Sequence, residues 1–200
     1  NVVPCDLPVA QRLIADERIR MISFTGSAKA GWAIRAGAGT KRVALELGGN
    51  AGVIVEPDAD LDRAVERCAV GGYAYAGQSC ISVQRILVHR DVYDAFVRRF
   101  VARVGKLRTG DPLDPATDVG PMIDEAAAQR AEAWIAAAVR EGTRVECGGG
   151  RTRAVLEPTV LTRTSSSQQV NCEEVFAPVT TVTPYAEFAE AVVRINETAY

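Results

Sequence analysis

Residues 19–47 read IRMISFTGSAKAGWAIRAGAGTKRVALEL, and this stretch decides the fold class. Apart from the apolar pair Met21 and Ile22, its first six residues alternate between apolar and polar side chains, which is typical of a half-buried strand. Thr25, Gly26 and Ser27 then supply a turn, and Ser27 is well placed to cap a helix that runs to about residue 38. Residues 41–46 return to an apolar strand pattern. Two strands joined by a helix predict a parallel pair with a right-handed crossover, so we expect an α/β fold.

The same alternation of helices and strands continues on both sides of this stretch. Gly48 and Gly49 follow a buried strand as a flexible junction, so we predict a domain boundary there, between residues 1–47 and 48–200. Gly142 is well placed to end a long Ala-rich helix. The remaining helices are expected at residues 8–16, 60–75, 92–104, 125–141 and 187–195, and the remaining strands at residues 2–3, 52–55, 85–89, 145–147, 155–161 and 179–184.

The composition excludes several classes of function. With 48% hydrophobic and 24% charged residues, the chain of 200 residues has the make-up of a soluble globular protein. Its net charge of −2 gives no electrostatic basis for binding nucleic acid or an acidic membrane surface. No apolar run approaches the ~18–20 residues that a membrane helix needs. We therefore expect neither a membrane span nor, from the first residues, a signal peptide.

The cysteine count favours a reducing compartment. The chain has five cysteines, which is an odd number, and no two of them form a Cys-x-x-Cys pair. A disulfide framework and a zinc site are therefore not expected, and the single histidine, His89, excludes mechanisms that need several histidine ligands. We predict a cytoplasmic protein without a bound metal.

Cys80 is the first candidate for chemistry, because it lies in a loop of small residues directly after the Gly-Gln-Ser of residues 77–79. A cysteine is a nucleophile only as its thiolate, and small neighbours let a substrate carbon approach the sulfur. The alternative is a small apolar packing residue, which suits Cys68 and Cys147 within their apolar patterns. Position in the chain alone leaves both interpretations open for Cys80.

Glu46 is the second candidate, at the end of an apolar strand and just before two glycines. Ligands of open parallel sheets bind beyond the carboxyl ends of the strands, which is where Glu46 falls. A carboxylate in that place is either solvated at the sheet edge or buried with a raised pKa, and the second condition suits a general base. The sequence alone does not decide between them.

Two further motifs are compatible with a nucleotide ligand. Gly26, Ser27 and Gly31 lie at a strand–turn–helix junction, where the free N–H groups of a helix N-terminus attract phosphate. Residues 173–178 (EEVFAP) place two acids and an aromatic ring before a proline, which would suit a carboxylate on ribose hydroxyls beside a ring on a flat heterocycle. The alternatives are an ordinary βα turn and a solvated loop with a buried phenylalanine.

The order of these motifs resembles that of the aldehyde dehydrogenase superfamily. Residues 24–27 (FTGS), 45–50 (LELGGN), 77–80 (GQSC) and 173–178 (EEVFAP) occur in the family's order, and the 34-residue interval from Glu46 to Cys80 is the family's usual one. The resemblance runs along essentially all 200 residues. It implies an aldehyde dehydrogenase-like α/β fold. Residues 1–47 would be the end of a Rossmann-like, parallel NAD(P)-binding domain, and residues 48–200 an α/β catalytic domain.

The resemblance also implies a reaction and a role for each site residue. The Cys80 thiolate would attack an aldehyde to give a thiohemiacetal, NAD(P)+ would accept the hydride, and Glu46 would activate the water that hydrolyses the resulting thioester. Glu174 and Phe176 resemble the family's nicotinamide-side ligands. Gly26, Ser27 and Gly31 resemble the pyrophosphate-side turn, and Leu47 and Gly48 would line the nicotinamide pocket.

Asn50 and Ala177 are small departures from the family's motifs, and the larger departures concern the two ends of the chain. The family's segment with the second oxyanion donor, its adenosine-ribose segment and its C-terminal glycine-rich and oligomerisation segments have no counterpart here. We therefore expect a fragment with little or no turnover by itself, whose full-length form is a homodimer or homotetramer. Neither NAD+ nor NADP+ is preferred, and residues 81–84 (ISVQ) favour a small polar aldehyde only weakly.

Two other functions remain open within this resemblance. A CoA-acylating aldehyde dehydrogenase would pass the thioester to a thiol, and Glu46 argues against it because some acylating members lack an acid there. A non-catalytic structural homologue would be free to lose Cys80 and Glu46, and both are present.

Overall fold

A computed structural model describes all 200 residues and separates them into an N-terminal unit, Asn1–Gly48, and a C-terminal unit, Gly49–Tyr200. The N-terminal unit contains, in chain order, helix α1 (Leu7–Ala15), strand β1 (Met21–Gly26), helix α2 (Ala28–Gly37) and strand β2 (Arg42–Leu47). The two strands pair in parallel, with Thr25 opposite Glu46. The predicted strand–helix–strand arrangement is therefore confirmed. The assignment of the two units to a cofactor domain and a catalytic domain stays a prediction.

Local sequence signals account for the ends of these elements. The Ser27 side chain accepts a hydrogen bond from the backbone N–H of Ala30 at 3.3 Å, as an N-cap does. The expected strand at residues 2–3 is wrong: Val2 and Val3 are 94% and 72% exposed and carry no strand structure. A strand needs a hydrogen-bonded neighbour, and β1 pairs only with β2.

The C-terminal unit is built on a five-stranded sheet in the order β3–β4–β9–β8–β5. All neighbouring pairs are parallel except β5 with β8, which is antiparallel. None of the helices has the length and apolar content that crossing a bilayer requires. The elements follow the chain as β3 (Ala51–Val55), α3 (Leu61–Tyr73), β4 (Val83–His89), α4 (Arg90–Val104), α5 (Glu125–Arg140), β5 (Arg144–Cys147), β6 (Arg151–Thr152), β7 (Val155–Leu156), β8 (Thr159–Thr162), α6 (Gln169–Cys172), β9 (Val179–Tyr185) and α7 (Phe188–Asn196).

Two predicted elements differ from the observed ones. The single strand expected at residues 155–161 is two strands, because Pro158 lies between them and has no N–H to donate. The two strands join different sheets, since β7 pairs with β6 and β8 pairs with β5 and β9. The helix expected to reach residue 75 ends at Tyr73, since the backbone of the next turn leaves the right-handed region. Gly142, with φ +101°, ends α5 in the left-handed conformation that the sequence predicts.

Two apolar clusters support the segments that carry the site. The first packs α3 and α4 against the sheet through Tyr73, Phe96 and Phe100, with Phe96 and Phe100 fully buried. Burial of one such side chain contributes about 2–3 kcal/mol. The second cluster packs α5 against β8 and holds the fully covered Val170 and Val175. The first cluster therefore anchors the helix before Cys80, and the second anchors the loop that contains Glu174.

Candidate active site

A strained turn, Ala74–Gly77, leads from α3 to Cys80. Tyr75, Ala76 and Gly77 all have left-handed backbones, with φ of 57°, 54° and 68°. This conformation costs a non-glycine L-residue about 1–2 kcal/mol, so two consecutive examples need support from their surroundings. Ala76 is buried, and Gly77 lies so close to the carbonyl oxygen of Ala177 that a Cβ would overlap it. The turn is therefore held by packing against the 173–177 loop.

Hydrogen bonds fix the residues on both sides of Cys80. Before it, the Gln78 side-chain oxygen accepts a hydrogen bond from the backbone N–H of Ile123 at 2.7 Å. After it, the Ser82 backbone N–H donates to the Ser79 carbonyl at 3.0 Å. Cys80 itself is exposed, and its backbone N–H has no hydrogen-bond partner within the chain. When an accessible sulfur attacks a carbonyl carbon, a free N–H donor beside it can stabilise the oxyanion that forms.

The loop of residues 173–177 lies next to this turn. Glu174 is partly buried, and one of its carboxylate oxygens accepts a hydrogen bond from the backbone N–H of Gly49 at 3.0 Å. Phe176 has a left-handed backbone, with φ 50°, and a ring that is 39% exposed. A narrow cleft is lined by Gly77, Ser79, Glu174 and Phe176, among others. The structure thus brings together the segment that leads to Cys80 and the two predicted nicotinamide-side residues.

The remaining predicted site residues lie in the N-terminal unit. Glu46 is an exposed residue of β2, one position before the strand ends at Leu47. Gly31 is buried, and a Cβ there would meet Leu47 Cδ2 at 2.5 Å, so it lets α2 approach β2 closely. Gly26 ends β1 and Gly48 ends the unit. The joint action of Glu46 with Cys80 stays a prediction, as do the cofactor contacts of this unit.

The donors and acceptors present suit a dinucleotide. The second carboxylate oxygen of Glu174 has no partner within the chain, which leaves it available for ribose hydroxyls. At the start of α2, Ser27 satisfies the N–H of Ala30, while the N–H groups of Ala28 and Lys29 remain for an anion such as a diphosphate. No group of three or more His, Cys, Asp and Glu side chains is arranged to hold a metal ion. The free carboxylate oxygen of Glu174 and the free N–H groups at the start of α2 fit the ribose and the diphosphate of NAD+ or NADP+ in chemical type.

The close approach of Gly77 to Ala177 leads to a prediction about stability. Gly77→Ala places a methyl group on the Ala177 carbonyl at a left-handed position, so we expect the free energy of unfolding in urea to fall by about 3 kcal/mol or more. Gly142→Ala is the matched control, because Gly142 is also left-handed but nothing lies within 4 Å of its added Cβ. That variant should lose only the backbone cost of about 1–2 kcal/mol. Equal losses in the two variants would show that the contact with Ala177 contributes nothing.

Comparisons with known proteins identify the family. The family model described as "Aldehyde dehydrogenase family" matches residues 1–200. The chain belongs to the aldehyde dehydrogenase family. It is 41% identical over 192 residues to 3-sulfolactaldehyde dehydrogenase of Priestia aryabhattai, a match that covers 96% of this chain and 40% of that protein. The chain thus spans about two fifths of the length of the curated relatives it matches.

Solved structures of family members have the same fold. Aldehyde dehydrogenase 21 from Physcomitrella patens, in complex with the reaction product succinate, matches with a TM-score of 0.95 at 41% identity, over 99% of this chain and 41% of that one. Glyceraldehyde-3-phosphate dehydrogenase GapN from Methanocaldococcus jannaschii, complexed with NADP, matches with a TM-score of 0.93 at 41% identity, over 96% of this chain and 42% of that one. The predicted aldehyde dehydrogenase-like α/β fold is confirmed.

Two residues that the sequence did not single out for a role lie next to the site. Gln84 and Asn50 are each only 5% exposed, and both hydrogen-bond to the backbone around Glu174. The signal in the sequence is an amide side chain in or beside an apolar strand, since a buried amide must find partners. That signal predicts a hydrogen-bonded side chain but does not say which segment it binds.

Proposed function

We propose that the protein carrying this chain oxidises an aldehyde to a carboxylic acid with NAD+ or NADP+, with Cys80 as the nucleophile. The observation that carries this proposal is the exposed Cys80, with a free backbone N–H, directly after a strained turn that packs against the loop of Glu174 and Phe176. Family membership supports the reaction class, and small polar aldehydes are the favoured substrates. The sequence of residues 81–84 and relatives such as 3-sulfolactaldehyde dehydrogenase support that substrate class.

In this proposal Cys80 performs the first covalent step. Its thiolate forms a bond to the aldehyde carbon, and the carbonyl π electrons move to oxygen, which the Cys80 backbone N–H stabilises. When bound, NAD(P)+ would supply the hydride acceptor that oxidation of the thiohemiacetal to a thioester on Cys80 requires. The exposed position of Cys80 is compatible with direct approach of a small substrate.

Glu46 is assigned the second step. Its carboxylate takes a proton from water as the water oxygen attacks the thioester carbon, and the C–S bond then breaks to release the carboxylic acid and regenerate the thiolate. The place of Glu46 at the carboxyl end of β2 supports this assignment, because ligands of parallel sheets bind at that edge.

Glu174 and Phe176 are assigned to the nicotinamide half of the cofactor. The free carboxylate oxygen of Glu174 would accept from ribose hydroxyls, and the exposed part of the Phe176 ring would pack on a flat heterocycle. Gly26 and Ser27 would form the diphosphate side, and Gly31 would support it by letting α2 approach β2 closely. Leu47 and Gly48 would form the pocket wall. The proposed location is the reducing cytoplasm, on the basis of the odd number of cysteines and their spacing. The homodimer or homotetramer implied by the family resemblance stays a prediction.

Selective alkylation of the native chain tests whether Cys80 is activated. With limiting iodoacetamide near neutral pH, followed by peptide mass spectrometry, we expect Cys80 to be labelled first. Burial raises the pKa of the Cys68 thiol to about 11 and also raises that of Cys147, so both should resist labelling until the chain unfolds. Cys5 is the matched control because it is also exposed. If Cys80 and Cys5 are labelled at equal rates, exposure alone determines their reactivity. That result would show that Cys80 is not an activated nucleophile in this chain.

A further inference from the structure

Gln84, a residue of β4, makes three hydrogen bonds to the segment that contains Glu174. Its side-chain nitrogen donates to the carbonyl of Glu173 at 2.7 Å and to that of Val170 at 3.0 Å. Its side-chain oxygen accepts from the backbone N–H of Val175 at 3.0 Å. The amide therefore bonds to the residues immediately before and after Glu174. It is 95% buried, since only 5% of its surface is exposed.

Asn50 reinforces the same segment from another direction. Its side-chain nitrogen donates to the carbonyl of Glu173 at 3.0 Å and to that of Asn171 at 2.8 Å. The Glu173 carbonyl thus receives two hydrogen bonds, one from each buried amide. On the other side of Glu174, the Val175 carbonyl accepts a hydrogen bond from the Arg130 guanidinium at 2.7 Å.

These bonds matter because the loop has no regular structure to hold it. Residues 173–177 belong to no helix or strand, and Phe176 is in a left-handed conformation that an L-residue adopts only when its surroundings impose it. Side-chain amides therefore satisfy backbone groups that a sheet or helix would otherwise satisfy. Glu174 is left with its backbone fixed on both sides and one carboxylate oxygen free.

We propose that Gln84, assisted by Asn50, is a positioning residue that fixes the 173–177 loop so that Glu174 and Phe176 bind the nicotinamide half of the dinucleotide. The cofactor part of this inference rests on the function proposed above. The fixing of the loop does not, because it follows from the hydrogen bonds alone. The two parts are therefore tested with different measurements.

The first measurement is hydrogen–deuterium exchange of the chain itself. Gln84→Met keeps the length of the side chain and removes all three bonds, so we expect the Val175 amide to exchange at least about tenfold faster. Asn50→Ala should loosen the same loop by a smaller factor, and it carries the test if Gln84→Met does not fold. Tyr185→Phe is the matched control, because Tyr185 is buried and its hydroxyl bonds to Val55 and Glu56 at the far end of β9.

The second measurement is steady-state kinetics of the complete enzyme. We expect Gln84→Met to raise the KM for NAD(P)+ at least about tenfold while the KM for the aldehyde changes less than about twofold. Tyr185→Phe should move neither constant. If Gln84 had a purely structural role, Gln84→Met would lower the thermal stability, as Tyr185→Phe would. It would then not raise the KM for NAD(P)+ more than the KM for the aldehyde.

Each outcome decides one part of the inference. Exchange at Val175 that rises no more in Gln84→Met than in Tyr185→Phe overturns the fixing of the loop, whatever the activity. Faster exchange with an unchanged KM for the dinucleotide in an active enzyme overturns the positioning role. Faster exchange in a protein whose wild type neither binds NAD+ or NADP+ nor oxidises aldehydes supports the fixed loop and rejects the proposed function instead.

Discussion

Cys80→Ala is expected to abolish aldehyde-dependent formation of NAD(P)H by the complete enzyme, with a fall in kcat of about 10⁴-fold or more. The reason is that every later step uses the carbon–sulfur bond, so removal of the nucleophile removes the pathway rather than slowing one step. The turn should survive the change, because the Cys80 side chain is exposed and the neighbouring hydrogen bonds come from Gln78 and Ser82. The measurement is the steady-state rate by absorbance of the reduced cofactor, together with an unfolding curve.

Cys5→Ala is the control for this result. Cys5 is also exposed, but it lies in the N-terminal unit and far along the sequence from the turn. We expect the rate of Cys5→Ala to stay within about twofold of wild type, as for most surface substitutions away from a site. Residual activity of Cys80→Ala above one per cent of wild type, in a folded protein, would be incompatible with Cys80 as the nucleophile.

Glu46→Gln is expected to separate the two halves of the reaction. Loss of the base should slow thioester hydrolysis by about 10²–10⁴-fold, while the first turnover continues. Rapid mixing should then show one equivalent of NAD(P)H formed in a burst, followed by a much slower steady state. Glu17→Gln is the matched control, because Glu17 is also an exposed glutamate of the N-terminal unit, and it should leave both phases unchanged.

Two other results would change the interpretation of Glu46. An unaltered steady-state rate in Glu46→Gln would remove it from the hydrolytic step. A wild-type rate that depends on added CoA would favour the acylating alternative, in which a thiol rather than water receives the acyl group. If Glu46 also helps to deprotonate Cys80, Glu46→Gln should in addition slow the alkylation of Cys80 by iodoacetamide.

The N-terminal unit shows how far local sequence determines structure. The alternation in residues 19–24, the capping serine at position 27 and the apolar strand that follows predict β1, α2 and β2, and all three are present with ends shifted by a few residues. Gly142 ends α5 for a similarly local reason. Each signal acts over six residues or fewer, within a single strand, turn or cap. The strand expected at residues 2–3 fails because pairing, unlike capping, needs a partner from elsewhere.

The contacts of the site in the C-terminal unit could not be predicted from local sequence signals alone. The order of the motifs, with Glu46 ahead of Cys80 and Glu174 after both, is a property of the sequence and is enough to suggest the family. The sequence did not indicate that Gly77 packs on Ala177, that Glu174 accepts a bond from Gly49, or that Gln84 bonds to both sides of Glu174. The bond between Gly49 and Glu174 joins residues 125 positions apart.

The sequence by itself therefore determined the class of fold, the cap at Ser27, the helix end at Gly142 and the identity of the chemical groups. Only the tertiary structure decided which of those groups meet. The physical reason is that β4 pairs with β9, so that Arg85 lies opposite Thr181, and this pairing brings Gln84 to the 173–177 loop. Periodicity specifies which face of a strand is buried but not which strand lies beside it. The contacts that hold Glu174 and Phe176 follow from that choice of neighbour.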